Sequence, residues 1–441
     1  MTSIIESERR RLAAEYRQRT PGSAAHAVSA NVVRIGKAQH SFGNTGLPYP
    51  LAATGGNGAY IFDVDGNRYL DLVVGWNSSY LGRGNPLIAE AVTTALGAFG
   101  APTGENFGAG INAELAGRLC DLIPGAERTL FAPSGSEANS FAIRLARQHT
   151  GRDKIMKFRY SYHGMYDDLM IGSLNTNGLP TNTADNVVIS RYNDKEQAAE
   201  LLDRHGGALA AVIVEPISVR GNVEQRNAFL QFLRDATTER NIVLIFDEII
   251  TGFRFGMHGA AGHYDITPPP DLITLGKMLG GGMPVAAVVG RGDIADGPIN
   301  VSSTHMQNPV CHAAAIAFLD QVSEDLYRET NALGDLLREH LRSAAASAGL
   351  RIQVTGDCTN VGLHLVPTQV NAPDDSAGVH QDLFELLKLA LTVKGFSWAT
   401  DSFGISSAYQ KSDVTALVEG FSEVFRELRP AIVEVAPELE L

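Results

Sequence analysis

Residues Ile242–Pro284 read IVLIFDEIITGFRFGMHGAAGHYDITPPPDLITLGKMLGGGMP. The opening run, Ile242 to Phe246, is apolar and largely β-branched, which predicts a strand buried on both faces of a parallel sheet. Asp247 and Glu248 follow at its carboxyl end, where ligands of open α/β sheets gather. A second short strand, Asp271 to Leu275, brings Lys277 to the same kind of position. Gly280, Gly281 and Gly282 lie just beyond it and allow backbone or ligand to come close.

A carboxylate and a lysine delivered to one sheet edge from two strands suit a cofactor that needs an imine-forming amine and a partner for a pyridinium nitrogen. Pyridoxal phosphate is that cofactor. An Asp-Glu pair after a strand is, by itself, more often a solvated turn, so order and spacing carry the reading. The segment resembles the DE-x-x-T-G-F-R and T-L-G-K-x-x-G-G-G-x-P signatures of the class III (ω-type) pyridoxal-phosphate-dependent aminotransferases, and within them the glutamate-1-semialdehyde aminomutase-like branch. The resemblance implies an α/β fold of type I: a large domain with a mostly parallel seven-stranded sheet flanked by helices, and a smaller α+β domain built from both chain ends. The expected boundaries are 1–80 and 320–441 for the small domain and 81–319 for the large one.

Composition agrees with a metabolic enzyme. The chain has 441 residues, 44% hydrophobic and 19% charged, enough to bury a large core. A net charge of -13 leaves no basic surplus for nucleic acid or an anionic membrane. Cys120, Cys311 and Cys358 have no metal-ligand spacing and are odd in number, which predicts buried small hydrophobes in a reducing compartment and no metal. Ser3 to Arg19 is a charged helix, with a capping box at Ser3 and Glu6, rather than a signal peptide. No apolar run is long enough to span a bilayer, so the expected location is cytoplasmic.

Along the chain, Thr20 to Leu47 is rich in Gly, Ser and Ala and predicts an irregular segment able to line a pocket, with His26 a candidate substrate donor. Ala59 to Leu72 predicts a hairpin turning at Asp65-Gly66-Asn67. Trp76 and Asn77 follow; the Trp is as readily a packing residue, but the family places it beside the substrate. Thr129 to Ala132 runs into Pro133-Ser134-Gly135-Ser136-Glu137-Ala138-Asn139, a strand, small-residue turn and helix that aim free amides at an anion. Gly135 and Ser136 are the candidate phosphate contacts, and the run is similar to the family's S-G-[ST]-E-A-N.

Lys154 to Phe158 predicts a strand ahead of Ser161-Tyr162-His163-Gly164, which matches the family's Y-H-G, whose Tyr stacks on the pyridine ring. His163 reads as a structural hydrogen bonder. Asp167 to Asn186 is a candidate lid. Further strands are Val187 to Ser190 and Leu209 to Val214, the latter leading into Glu215-Pro216, with Ser218 where relatives contact the ring hydroxyl and Arg220 where they carry small or amide residues. Val285 to Gly290 predicts an antiparallel strand, because its connection is too short for a helical crossover. Ser303-Thr304 to Asn308-Pro309 resembles G-T-x-x-x-N-P with Ser303 in place of the glycine. That resemblance implies a homodimer in which Thr304 reaches the neighbouring active site.

The chemistry the resemblance implies places Lys277 as imine lysine and proton shuttle, Asp247 on the pyridine nitrogen, and Ile249 on the ring face opposite Tyr162. Arg254, part of the shared G-F-R, reads as structural. The aminomutase landmarks, a glutamate and an early arginine, fall by ungapped matching on Ser402 and Ser29. Their absence favours a ping-pong aminotransferase acting on a small-molecule amino donor and an oxo or aldehyde acceptor. The alternatives are an intramolecular aminomutase or amino-acid epimerase on the same fold, and, more remotely, a non-catalytic cofactor-binding protein. Trp76, Asn77, His26 and Arg220 are the candidate substrate residues.

Overall fold

The computed structural model describes residues 3–33, 46–103, 106–173, 176–226, 228–398 and 401–441, with the side chains of 3 and 29–33 outside that description. The helix Ser3–Arg19 has the expected bounds. The segment after it differs from expectation, because Pro21–Val33 is a second helix. Proline starts a helix well, and the carboxylate of Asp65 accepts the amides of Gly22 at 2.6 Å and Ser23 at 2.9 Å. The cap comes from a turn more than forty residues away in sequence, so local composition could not reveal it.

Strands β1 (Ala53–Asn57), β2 (Tyr60–Asp63) and β3 (Arg68–Asp71) form an antiparallel meander containing the expected hairpin. The turn is tied by Asp63, which accepts the amides of Asp65 and Asn67 at 3.0 and 2.8 Å.

The large sheet uses β4 (Arg128–Ala132), β5 (Lys154–Phe158), β6 (Val187–Ser190) and β7 (Leu209–Val214). After a two-stranded ribbon, β8 (Ile217–Ser218) and β9 (Val223–Glu224), come β10 (Val243–Glu248), β11 (Leu272–Leu275) and β12 (Ala286–Gly290). Seven strands lie in the order β4-β12-β11-β10-β7-β5-β6. β10 runs parallel to both β7 and β11, as its two-sided apolar run predicts. β12 is antiparallel to β11 and to β4, which makes β4 parallel to the rest. The carboxyl ends of β4, β5, β7, β10 and β11 therefore share one edge. All six residues of β7 are fully buried, each aliphatic side chain larger than Ala contributing about 1.5–3 kcal/mol of transfer free energy.

The C-terminal strands are β13 (Gln353–Thr355), β14 (Asn360–His364), β15 (Phe396–Ser397) and β16 (Ser402–Gly404). β15 pairs in parallel with β3, joining the two ends of the chain. One apolar cluster gathers Ile5 to Leu72 with Leu337 to Leu439, and another runs from Tyr80 through Val322 and Tyr327. We propose the domain partition at 80 and 320 on that division. Among the described residues no helix is long and apolar enough to cross a membrane.

Candidate active site

The carboxyl edge of the large sheet opens onto a cavity of about 510 Å³. Trp76, Asn77, Gly135, Ser136, Tyr162, Glu215, Arg220, Asp247, Ile249 and Lys277 all line it. These residues are scattered over some two hundred positions, and the parallel strands bring them together.

Asp247 is the last residue but one of β10, opposite Thr274 of β11. Its Oδ2 accepts from Asn139 Nδ2 at 2.8 Å and lies 2.7 Å from His163 Nδ1, and its Oδ1 accepts the amide of Ile249 at 3.1 Å. Burial holds the His163 imidazole below its ordinary pKa, against the pull of Asp247. A neutral ring facing an acceptor-only carboxylate must place its proton on Nδ1 and donate it. His163 Nε2 is then a buried lone pair with no hydrogen-bond partner among the described residues. Glu248, the neighbouring acid, turns the other way: its carboxylate accepts the amides of Ala260 at 2.6 Å and Ala261 at 2.9 Å, and it does not line the cavity.

Lys277 stands two residues past β11 with a positive φ of 43°, a strained conformation for a residue other than glycine. Burial lowers its ammonium pKa, while Asp247 and Glu215 push the other way. Glu215 is driven well above the ordinary carboxylate range by burial and then by Asp247. Its carboxyl accepts the amides of Val219 at 3.3 Å and Tyr162 at 3.5 Å. Lys157 in β5 is fully buried, its Nζ donating to the carbonyl of Leu169, and burial brings its pKa down to about 8.

The helix Gly135–Thr150 begins at the cavity wall, capped by Ser134, whose Oγ accepts the amide of Glu137 at 3.3 Å. The amides of Gly135 and Ser136 precede the first intrahelical bond and suit an anion. Gly164, at φ 100°, packs so closely that a Cβ there would meet Ser136 Oγ at 2.4 Å. Trp76 and Asn77 both have positive φ, 56° and 69°, in a tight turn after β3. A partly desolvated amine, an anchored aspartate, a helix amino terminus and an aromatic beside them fit pyridoxal phosphate group by group.

Two expected residues sit elsewhere, while Thr304 is expected at the neighbouring active site rather than at this one. Ser218 is buried in β8 and does not line the cavity, whereas its neighbours Ile217 and Val219 do; alternation along the chain turns it away. His26 is exposed on the helix Pro21–Val33, away from the cavity, because that part of the segment expected to wander is helical, residues 34–45 lying outside the described residues. Thr304 is exposed outside this chain's own cavity. The side chain of Ser29 lies outside the described residues, and Ser402 lines the cavity. Arg254 is fully buried and donates to Thr359 Oγ1 at 2.7 Å, a structural role as expected.

Sequence reasoning gave no role to Asn139 or Thr274. The first has a signal: it lies four residues after Gly135 and so on the same helix face.

Residues 42–374 match the family pattern of aminotransferase class-III. The chain is 35% identical over 391 residues to a glutamate-1-semialdehyde 2,1-aminomutase of Methanobrevibacter smithii, covering 84% of this chain and 90% of that protein. Among solved structures, a β-phenylalanine aminotransferase from Variovorax paradoxus superimposes with a TM-score of 0.87 at 29% identity, covering 97% of this chain and 98% of that one. An omega-transaminase from Sphaerobacter thermophilus gives 0.86 at 29% identity over 92% and 98%. By that family match over most of its length and that level of identity, the chain belongs to the class-III aminotransferase family of pyridoxal-phosphate-dependent enzymes.

Proposed function

We propose that the chain moves an amino group between a small-molecule donor and an oxo or aldehyde acceptor in two half-reactions. The observation that carries this reading is Ser402 at the cavity wall, where the aminomutase landmark would supply a glutamate. The cofactor, when bound, supplies an aldehyde for the amino group and a ring that stores the electron pair released at the substrate carbon. Lys277 Nζ, whose unprotonated form burial favours, would take the substrate Cα proton and deliver it to the carbon that had been the cofactor's aldehyde. Asp247 keeps the ring nitrogen protonated, and His163 and Asn139 hold its carboxylate in place. Gly135 and Ser136 hold the phosphate, and Tyr162 and Ile249 cover the two ring faces. Thr304 acts in the neighbouring active site of a homodimer.

A second reading, intramolecular aminomutase, is favoured by the curated relatives, whose names support it over aminotransfer. One experiment separates the two. The holoenzyme is mixed with a panel of amines without any acceptor, and both visible absorption and released carbonyl product are followed. Aminotransfer bleaches the absorption with one oxo product per site. Isomerisation of a single amino-aldehyde with no free oxo product would establish the aminomutase instead.

We assign a substrate carboxylate, where there is one, to Arg220. It lines the cavity with a side chain 21% exposed, and its Nη1 lies 4.0 Å from Asp401 Oδ1. Losing a bidentate contact from such a partly dry wall costs about 1.5–3 kcal/mol, or roughly 10- to 100-fold. Arg220→Ala is expected to lose that factor in kcat/KM on substrates with a carboxylate and much less on matched substrates without one. Equal losses on both would assign Arg220 to holding Asp401 and the adjoining strand.

A further inference from the structure

His263, Asp357 and Cys358 offer three ligand atoms within 4.8 Å of one another, the one such group among the described residues. None of the three lines the cavity at Lys277. We propose that they form a second site, for a single zinc-like divalent cation, at the seam between the large and small domains.

The distances suit the ion. His263 Nε2 lies 3.0 Å from Asp357 Oδ2 and 4.0 Å from Cys358 Sγ. Tetrahedral zinc, with bonds of about 2.0–2.3 Å, spaces its ligand atoms roughly 3.3–3.8 Å apart, so sub-ångström side-chain movements reach the geometry. An imidazole, a carboxylate and a thiol together select a borderline-soft ion over magnesium or calcium. His263 is accessible and Cys358 is buried, so the site is closed toward the protein and open to solvent, where water can take the fourth position.

Both halves are held before any ion arrives. His263 ends the short helix Gly259–His263, whose amides at Ala260 and Ala261 bind the Glu248 carboxylate at the tip of β10. Asp357 and Cys358 form the turn between β13 and β14, where Arg338 Nη1 donates to the carbonyls of Cys358 at 2.6 Å and Asn360 at 2.8 Å. The Tyr264 hydroxyl donates to Asp357 Oδ2 at 2.9 Å, the kind of outer contact that orients a ligating carboxylate. Without metal, burial and then Asp357 keep the Cys358 thiol protonated. As the ion binds, the thiol proton leaves to solvent and the His263 proton shared with Asp357 shifts from Nε2 to Nδ1 to free the ligating lone pair, and no redox change is involved.

Metal-free holoenzyme is titrated with Co²⁺ and then with Zn²⁺. One Co²⁺ per chain is expected, with a near-ultraviolet thiolate-to-cobalt absorption that Zn²⁺ displaces, and zinc should raise the Tm. Cys358→Ser should abolish the absorption, and His263→Gln, a change at an accessible position, should weaken binding at least about 10- to 100-fold. Cys120→Ser should leave both unchanged. Absence of the band in a correctly folded wild type, or a band that persists in both Cys358→Ser and His263→Gln, overturns the site. The cofactor absorption at Lys277 is read in the same samples, so failure here is separate from failure of the proposed reaction.

Discussion

Lys277→Ala is expected to abolish steady-state turnover while leaving part of the cofactor affinity. Proton transfer alone accounts for about 10²–10⁴-fold, and the same residue supplies the covalent anchor, so the combined loss lies beyond that range. The helix amino terminus at Gly135 and Ser136, Asp247, and the walls at Tyr162 and Ile249 are untouched by the change. Cofactor should therefore still bind, more weakly and with a shifted absorption. The positive φ of 43° at Lys277 is strained for alanine as much as for lysine, so thermal stability should hardly move. Purified variant that keeps wild-type steady-state activity would remove Lys277 from the chemistry; loss of all cofactor binding would mean that the phosphate and ring contacts are too weak to stand alone.

Those contacts were legible in the sequence to different depths. Strand ends can be read because β7 and the run Ile242 to Phe246 are uninterrupted apolar stretches, and the first polar residue after each marks the sheet edge. That rule gives Glu215 and Asp247, and Lys277 follows from its place after the second short strand, Asp271 to Leu275. Antiparallel β12 was legible from the length of its connection. What holds Asp247 was not, because Asn139, His163 and Thr274 arrive from a helix, a loop and a neighbouring strand, over separations of 108, 84 and 27 residues. The helix spacing from Gly135 puts Asn139 on the cavity side, but nothing local says that its partner is Asp247. The Pro21–Val33 helix was missed for the same reason, since its capping carboxylate lies on a distant hairpin. Ser218 failed differently: the sequence neighbourhood was right, but a two-residue strand turned its side chain away from the cavity.

The anchoring of Asp247 makes Asp247→Asn a sharper experiment than the isosteric change suggests. Oδ2 receives two donors, Asn139 Nδ2 and His163 Nδ1, while Oδ1 receives the Ile249 amide and lies 3.4 Å from the Thr274 hydroxyl. An asparagine has one oxygen and one NH₂ to put in their place. Whichever way the amide turns, at least one buried donor faces another donor, at a cost of about 1–3 kcal/mol in stability. The His163 ring can relieve part of this by moving its proton to Nε2, which has no partner among the described residues. The fold should survive that cost. Catalysis should not, because a neutral amide cannot hold the ring nitrogen's proton where negative charge develops, and the half-reaction should slow by about 10³-fold or more. Glu248 cannot substitute, since its carboxylate is committed to the amides of Ala260 and Ala261. Single-turnover bleaching with a good amino donor, compared with the Tm of the same preparation, separates the two effects. A half-reaction near the wild-type rate in a folded variant would mean that another group, and not Asp247, keeps the ring protonated.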